Sequence, residues 1–276
     1  MIQAILFPSI VVSKQKLAAK LTKKTVLITG ASYGVGEQLA YILAEYEVHL
    51  ILVARSSDKL QMLESQLSNK TARTSIYAAD LSKQSELKIF IDSLLVLPDG
   101  LDIIVSNAGR SILRSVKNSM NRTHDYDRCM AINYFAPVRL ISGLLPLLIK
   151  SKGHIVNVSA INLLIPPVAN WSAYQSSKAA FDQWLQSAAA ELNSDGIFCS
   201  SLYFPLIKTR MIAPTRSYDN AAAMSADRAA LIIARILYKK RSCYAPWWLY
   251  IIKPFLHIFK RQWQAVAMRY FKQKHD

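Results

Sequence analysis

The chain has 276 residues and a formal net charge of +16, long enough for one large α/β domain with a covered core and too short for two independent ones. The charge points to an anionic partner, a phosphorylated cofactor or an acidic lipid surface; without zinc-finger spacing, a homeodomain-like helix or RNA-binding aromatic signatures, nucleic acid is set aside. Cys129, Cys199 and Cys243 are odd in number, far apart and without metal-ligand spacing, so they read as reduced thiols of an intracellular protein, and no metal is expected.

Residues 1–12 are apolar, but no basic residue precedes them and Ser13-Lys14-Gln15-Lys16 follows. A spanning helix needs about 20 apolar residues and a signal peptide puts its charge first, so this stretch reads as a packed arm or a short anchor within an N-terminal segment 1–22. The run Val26-Leu27-Ile28 then leads into Thr29-Gly30-Ala31-Ser32-Tyr33-Gly34-Val35-Gly36 and a helical pattern over 37–46. Strand, tight turn and helix in that order let bare backbone approach a pyrophosphate, while the helix start offers it unpaired N–H groups. Gly30, Gly34 and Gly36 carry the turn, with Ser32, Tyr33 and Val35 the expected cofactor contacts between them, the other reading being a merely structural turn.

Apolar runs recur over 48–54, 75–79, 103–106, 154–158 and 197–204, each followed by a helical pattern. With 25–29 they make six strands, and 243–245 supplies a seventh if it pairs. Such alternation predicts a single α/β domain over 23–246, a Rossmann-like, doubly wound parallel sheet with helices on both faces and ligands at the carboxyl ends of its strands. Arg55 ends the second strand where an NAD site would have a carboxylate. With Ser56 and Ser57 it suits a 2′-phosphate, the other reading being a solvated Arg before a helix starting near Asp58. Asp80, next to Leu81 at the end of the third strand, either accepts from an adenine amino group or caps the helix after Ser82. Ser106-Asn107-Ala108-Gly109 closes the fourth strand; Gly109 either lets backbone approach a ribose or simply turns the chain. One long helix is predicted over 125–149, with Asn133 in its middle, buried among Ile132, Tyr134 and Phe135 and satisfied by a hydrogen bond.

Tyr174 and Lys178 lie four apart in Ala173-Tyr174-Gln175-Ser176-Ser177-Lys178, on a helix that follows a strand ending Asn157-Val158-Ser159. An ammonium beside a phenol stabilises phenolate and brings its pKa down from about 10, so the pair can exchange the proton of a carbonyl/alcohol couple. On these residues, 23–245 resembles the short-chain dehydrogenase/reductase family. The family's glycine turn matches Thr29 to Gly36, its Asn-Ala-Gly matches Asn107 to Gly109, and its helix Asn matches Asn133. Its Tyr and Lys match Tyr174 and Lys178, and Arg55 matches the basic residue of members that prefer NADP. The segment Pro205-Leu206-Ile207-Lys208-Thr209 matches the family's Pro-Gly segment in part, with Thr209 at a cofactor-contacting position. The resemblance implies NADP(H) as cofactor, Tyr174 as proton donor, Lys178 as the group that lowers its pKa and holds the ribose, and Asn133 as support for a proton path. One departure stands out: the family has Ser-Ser at the strand end, where this chain has Ser159-Ala160. Either Ser159 takes the role through a local shift, or that hydroxyl is missing.

A closer resemblance, to bacterial fatty acyl-CoA reductases of the short-chain type, runs over Ser106 to Ser111, His124-Asp125-Tyr126, Asn133-Tyr134-Phe135 and Tyr203 to Thr215. It implies a lipid or acyl-CoA substrate. Read from the residues alone, the segment with Lys208, Arg210 and Arg216 either covers an acyl chain and meets coenzyme A phosphates or is a packed surface loop. From Lys239 onward nine Lys or Arg face one Asp, interleaved with Trp247, Trp248, Phe255, Phe259, Trp263, Tyr270 and Phe271. Phe255, Phe259, Trp263, Val266 and Tyr270 recur at helical spacing, Pro254 suits that helix's first turn, and Lys260, Arg261, Arg269 and Lys272 form a basic face. The tail 247–276 therefore reads as an amphipathic extension lying on an anionic membrane. The alternative is a helix packed over the cleft or on a partner subunit, which leaves a homo-oligomer open. The expectation is a cytoplasmic NADPH-dependent reductase, peripheral on the inner membrane surface, that takes fatty acyl-CoA to fatty aldehyde. Its rivals are reduction of a membrane-borne keto-lipid or aldehyde, and a non-catalytic NADP-binding protein.

Overall fold

The computed structural model describes residues 5–212, 221–259 and 262. Strands β1 (Lys24–Thr29), β2 (Val48–Ala54), β3 (Arg73–Ala78), β4 (Ile103–Ser106), β5 (His154–Ala160) and β6 (Phe198–Phe204) join β9 (Cys243–Tyr244) in one seven-stranded parallel sheet of order β3-β2-β1-β4-β5-β6-β9. The order reverses between β1 and β4, which opens a crevice there at the carboxyl edge. A second, two-stranded sheet, Ile207–Lys208 (β7) with Met224–Ser225 (β8), was not among the expected elements.

Period-2 alternation decides which helix packs where. In β1, Val26 and Ile28 face the cluster built by α1 (Lys14–Leu21), α2 (Gly34–Ala44), α3 (Ser57–Leu67) and α9 (Ala226–Lys239). Leu27 faces the opposite cluster, built by α4 (Gln84–Leu95), α6 (Ala136–Gly143), α7 (Leu145–Ser151) and α8 (Ser172–Ser194). The N-terminal segment joins the first cluster: Phe7, Leu17 and Leu21 are buried, the Phe7 carbonyl accepts from Arg228 Nη1, and Ser13 N donates to Tyr238 OH at 3.3 Å.

The single helix expected over 125–149 is in fact three pieces. Helix α5 (His124–Met130) passes through a π-helical turn, Ala131–Phe135, into α6, and α7 departs from that axis by 58° after a break at Leu144. Proline is the reason in both places. Pro137 has no N–H for the Asn133 carbonyl that an α-helix would pair with it, and Pro146 has none for Ser142. The C-terminal helix α10 (Trp247–Ile258) also differs from expectation, since Pro254 lies inside it rather than in its first turn. Among the described residues no single helix is long and apolar enough to cross a membrane.

Candidate functional site

The turn after β1 is shaped by steric necessity. Gly30 and Gly34 have φ of +68° and +61°, and a Cβ on Gly36 would stand 2.4 Å from the Gly30 carbonyl oxygen. Helix α2 starts there with Tyr33 as N-cap and no side-chain cap bond, so no side chain covers its first amides. Ser32 is half-buried and Val35 buried against the core.

Two residues lash this turn to β4. Thr29 Oγ1 accepts from the backbone N–H of Asn107 at 3.0 Å and of Ala108 at 2.9 Å, and Asn107 Nδ2 donates to the carbonyls of Thr29 (2.9 Å) and Gly30 (3.2 Å). The Asn107 amide nitrogen is thereby engaged in holding the turn. Thr29, which sequence reasoning passed over, is a central fastener. Its signal was available, a hydroxyl directly after the apolar run Val26-Leu27-Ile28.

At the far side of the crevice Arg55 is exposed, with Ser56 as the N-cap of α3 but without a side-chain cap bond. Asp80 Oδ1 accepts from Ser82 N (3.0 Å) and Ser82 Oγ (2.6 Å), a local turn, and Leu81 is buried beneath it. Burial pushes the Asp80 carboxyl up, yet the Ser82 hydrogen bonds and the Arg55 and Lys83 charges outweigh it and hold Asp80 below its ordinary value. The chain beyond β6 closes over the same turn. Pro205 is buried, a Cβ on Gly34 would meet Thr209 Cγ2 at 3.0 Å, and the Arg210 guanidinium lies 4.7 Å from the Tyr33 ring centre. Ala213 to Thr215 and Arg216 lie outside the described residues.

The second cluster forms where α5, α8 and β5 meet. Asn133, on the π-helical turn and 1% exposed, accepts through Oδ1 from Arg110 N (2.9 Å) and donates through Nδ2 to Arg110 O (2.8 Å) and Ser177 Oγ (2.9 Å). Its side chain clamps the loop after β4. Gly109, inside that clamp, is the hub: a Cβ there would lie 3.1 Å from Asn133 Oδ1 and 3.5 Å from Lys178 Nζ. Lys178 is 7% exposed and donates to the Val158 carbonyl at 3.0 Å. Burial lowers its ammonium pKa to about 8, against an opposing pull from Asp182. Tyr174, one turn before it, is half-buried with its ring edge-on to Trp171 at 5.7 Å. Alternation along β5 turns Asn157 and Ser159 toward α8, as the Asn157–Asp182 bond shows, and Ala160 the other way. Ser159 is 5% exposed, and its Oγ is buried without a hydrogen-bond partner among the described residues. Such an arrangement can hold a proton at one phenol, steady it with a buried cation, and offer one uncommitted hydroxyl. Among the described residues no group of three or more His, Cys, Asp or Glu is placed to hold a metal.

The short chain dehydrogenase family model matches residues 24–220. A fatty acyl-CoA reductase of Acinetobacter baylyi is 38% identical over 218 residues, 79% of this chain and 74% of that protein. A fatty acyl-CoA reductase of Mycobacterium tuberculosis is 36% identical over 76% of this chain and 72% of its own length. Among solved structures, a metagenomic short-chain oxidoreductase in complex with NADP superposes with a TM-score of 0.68 at 26% identity, covering 81% of this chain and 94% of that one. A short-chain dehydrogenase from Sphingobium yanoikuyae in complex with NADPH does so with a TM-score of 0.73 at 24% identity, covering 92% and 96%.

Proposed function

The chain belongs to the short-chain dehydrogenase family, and from that premise we propose that it is an NADPH-dependent reductase of a lipid carbonyl, with fatty acyl-CoA to fatty aldehyde as its reaction. The observation that carries the reading is the meeting of Asn133, Gly109 and Lys178, with Tyr174 one helical turn before Lys178, at the carboxyl edge of the sheet beside a glycine turn that opens a helix. A Cβ at Gly30 would collide with Ala108 and Asn107 and one at Gly36 with the Gly30 carbonyl, so only glycine lets the turn close against β4, and Arg55 stands exposed at the end of β2, where a 2′-phosphate would lie. Ser32, Tyr33, Gly34, Val35, Ser56, Asp80, Leu81, the backbone of Asn107 to Gly109, Pro205 and Thr209 complete the proposed cofactor contacts. The relatives' names favour an acyl-CoA substrate, and the NADP and NADPH in the solved structures favour the phosphorylated cofactor.

When bound, NADPH supplies a hydride to the substrate carbonyl carbon. Tyr174 gives its proton to the carbonyl oxygen, and Lys178, charged and buried, stabilises the phenolate left behind and holds the ribose. Ser159, with its hydroxyl uncommitted, stands in for the serine that Ala160 replaces and donates to the same oxygen. Pro137 offers the Asn133 carbonyl no α-helical N–H, and we propose that this carbonyl holds the water that returns a proton by way of Lys178. With a thioester the product of this step is a hemithioacetal, which collapses to aldehyde and coenzyme A thiol without a covalent bond to the protein. Incubation with NADPH and matched panels of acyl-CoA, aldehyde and keto-lipid tests the reading. Aldehyde formed from acyl-CoA as NADPH is consumed, and lost in Tyr174→Phe, is the expected result. Turnover of ketone or aldehyde alone would move the substrate class, and no turnover with any panel would leave an NADP-binding protein.

The face of α10 favours a membrane-surface location for this reaction. Trp247, Tyr250, Ile251, Phe255 and Ile258 are exposed along it while Leu249 anchors the other face, and Trp247 Nε1 donates to the carbonyl of Ile5, itself exposed, at 3.0 Å. The sequence beyond adds Lys260, Arg261, Arg269, Lys272 and Lys274, complementary to anionic lipid. Trp263, Val266, Tyr270 and Phe271 lie outside the described residues. Ile251→Glu with Phe255→Glu should reduce co-sedimentation with anionic vesicles; equal sedimentation of the variant and the parent would overturn the location.

A further inference from the structure

Helix α8 carries more than Tyr174 and Lys178 on its inner face. Asp182, buried, and Gln186, exposed at the rim, follow at the same four-residue step, so phenol, ammonium, carboxylate and amide succeed one another down one stripe. Asp182 is 5% exposed, enclosed where α8 crosses β5 and β6. Its Oδ1 accepts from Ser201 Oγ at 3.0 Å and Asn157 Nδ2 at 3.3 Å; its Oδ2 accepts from Gln186 Nε2 at 2.7 Å and Tyr203 OH at 2.9 Å. All four donors are neutral, and among the described residues no Lys or Arg nitrogen comes within 4.0 Å of this carboxylate. Neutral donors stabilise an anion without cancelling its charge.

Lys178 is in the mirror situation, buried with the Val158 carbonyl, a neutral acceptor, as its hydrogen-bond partner. Two buried charges of opposite sign, each solvated by dipoles, thus stand one helical turn apart, and an isolated charge in that interior would be costly. We infer that Asp182 is a positioning residue for the reaction: the internal counter-ion that keeps the Lys178 ammonium charged, held in place by Asn157, Ser201, Tyr203 and Gln186. The inference rests on the proposed pairing of Lys178 with Tyr174.

Of the titratable groups around the carboxylate, Tyr203 and Cys243 do not compete for this role, and Lys253 of α10 lines the cavity that Gln186, Ser201, Tyr203 and Cys243 share. Tyr203 on β6 is kept a phenol by burial and by Asp182 itself, and Cys243 on β9 is kept a thiol by burial and the same charge. Both are neutral at working pH. Burial alone drives Lys178 down, and Asp182 is the group that opposes it. Removing a unit charge at this helical spacing, in a medium of effective dielectric about 20, should move the Lys178 titration down by about one to two pH units.

The test uses full-length protein labelled with lysine ¹³Cε, the Lys178 resonance being identified by its loss in Lys178→Arg. The parent should titrate near pH 8, Asp182→Asn about one to two units lower, and Asp182→Glu back toward the parent. Gln186→Leu keeps the carboxylate but removes one donor and some packing, and its midpoint should hold or rise. An unchanged midpoint in folded Asp182→Asn overturns the proposal. So does a fall of a unit or more in Gln186→Leu, an outcome that stays decisive even if Asp182→Asn does not fold. The titration needs no substrate, so a protein that titrates as expected yet turns over no lipid carbonyl would sink the proposed reaction and leave the counter-ion standing. Where turnover is seen, the alkaline limb of kcat should move down with the resonance in Asp182→Asn.

Discussion

Gly36→Ala sets two effects of opposite sign against each other, and the structure says which one wins. Gly36 is the third residue of α2, where alanine would ordinarily stabilise by up to about 1 kcal/mol over glycine. The added methyl, however, would lie 2.4 Å from the Gly30 carbonyl oxygen and 2.8 Å from Asn107 Nδ2. Neither neighbour is the loose end of a side chain. Gly30 N donates to Val53 O at 2.9 Å, and the Asn107 amide is bonded to the Thr29 and Gly30 carbonyls. Overpacking against fixed atoms costs about 1–3 kcal/mol, and loss of the Asn107–Gly30 bond costs about 0.5–1.5 kcal/mol more. The net expectation is a loss of about 1–3 kcal/mol, which in a domain of this size lowers Tm by roughly 3–10 °C. Because the turn has to open, NADPH affinity should fall by more than tenfold. Thermal unfolding by circular dichroism and NADPH titration by fluorescence read the two effects. A variant with unchanged Tm and unchanged affinity would refute the close approach inferred at this turn.

Arg55→Asp should reverse a preference for NADPH over NADH, since a charge-assisted contact to the 2′-phosphate is worth about 1.5–3 kcal/mol, or roughly 10- to 150-fold; equal affinity of the parent protein for both would dispose of the assignment. Ser159→Ala should lower kcat by on the order of 100-fold and Ala160→Ser should raise it or leave it unchanged, because Ser159 Oγ is the uncommitted hydroxyl on the α8 side of β5; undiminished turnover in Ser159→Ala would refute the substitution. His154 is fully buried, and burial lowers its pKa from 6.5 to about 3. The unfolded chain therefore takes up that proton first, so stability is complete above pH 6.5 and is lost as pH falls toward 3, by about 2 kcal/mol between pH 7 and pH 5. Urea unfolding at the two pH values should show the loss in the parent and a smaller one in His154→Gln, and parallel curves would show that His154 does not carry it.

What could be read from the chain was what is local in it. The glycine turn and the Tyr174–Lys178 step each depend on a few consecutive residues whose geometry follows from chain stereochemistry, and β2 begins and ends where its apolar run does. The break between α6 and α7 was hidden because the apolar pattern runs on through it, and Pro137 and Pro146 occupy first-turn positions that proline tolerates. The fastening role of Asn107 was out of sight because its partners, Thr29 and Gly30, lie far from it in sequence, at the end of β1 and in the turn after it. Asp182 was half legible. Its four-residue spacing from Lys178 was in plain view, but the donors that make it a buried anion come from β5 and β6, which only the folded sheet brings against α8.

The lashing of Thr29 to Asn107 also has a bearing on how the protein reaches its working form. The two residues are 78 positions apart, with β2 and β3 between them in the chain and paired on the other side of β1. Contacts of such separation are late and slow to form. A nascent or partly folded chain thus has the glycine sequence but not the cradle, and dinucleotide in the cell has nothing to grip until the two halves of the sheet have met. Ligand then stabilises the finished fold alone, by mass action. Scarcity of cofactor would shorten the life of completed molecules through their unfolding equilibrium, while abundance would do nothing to hasten the completion of new ones.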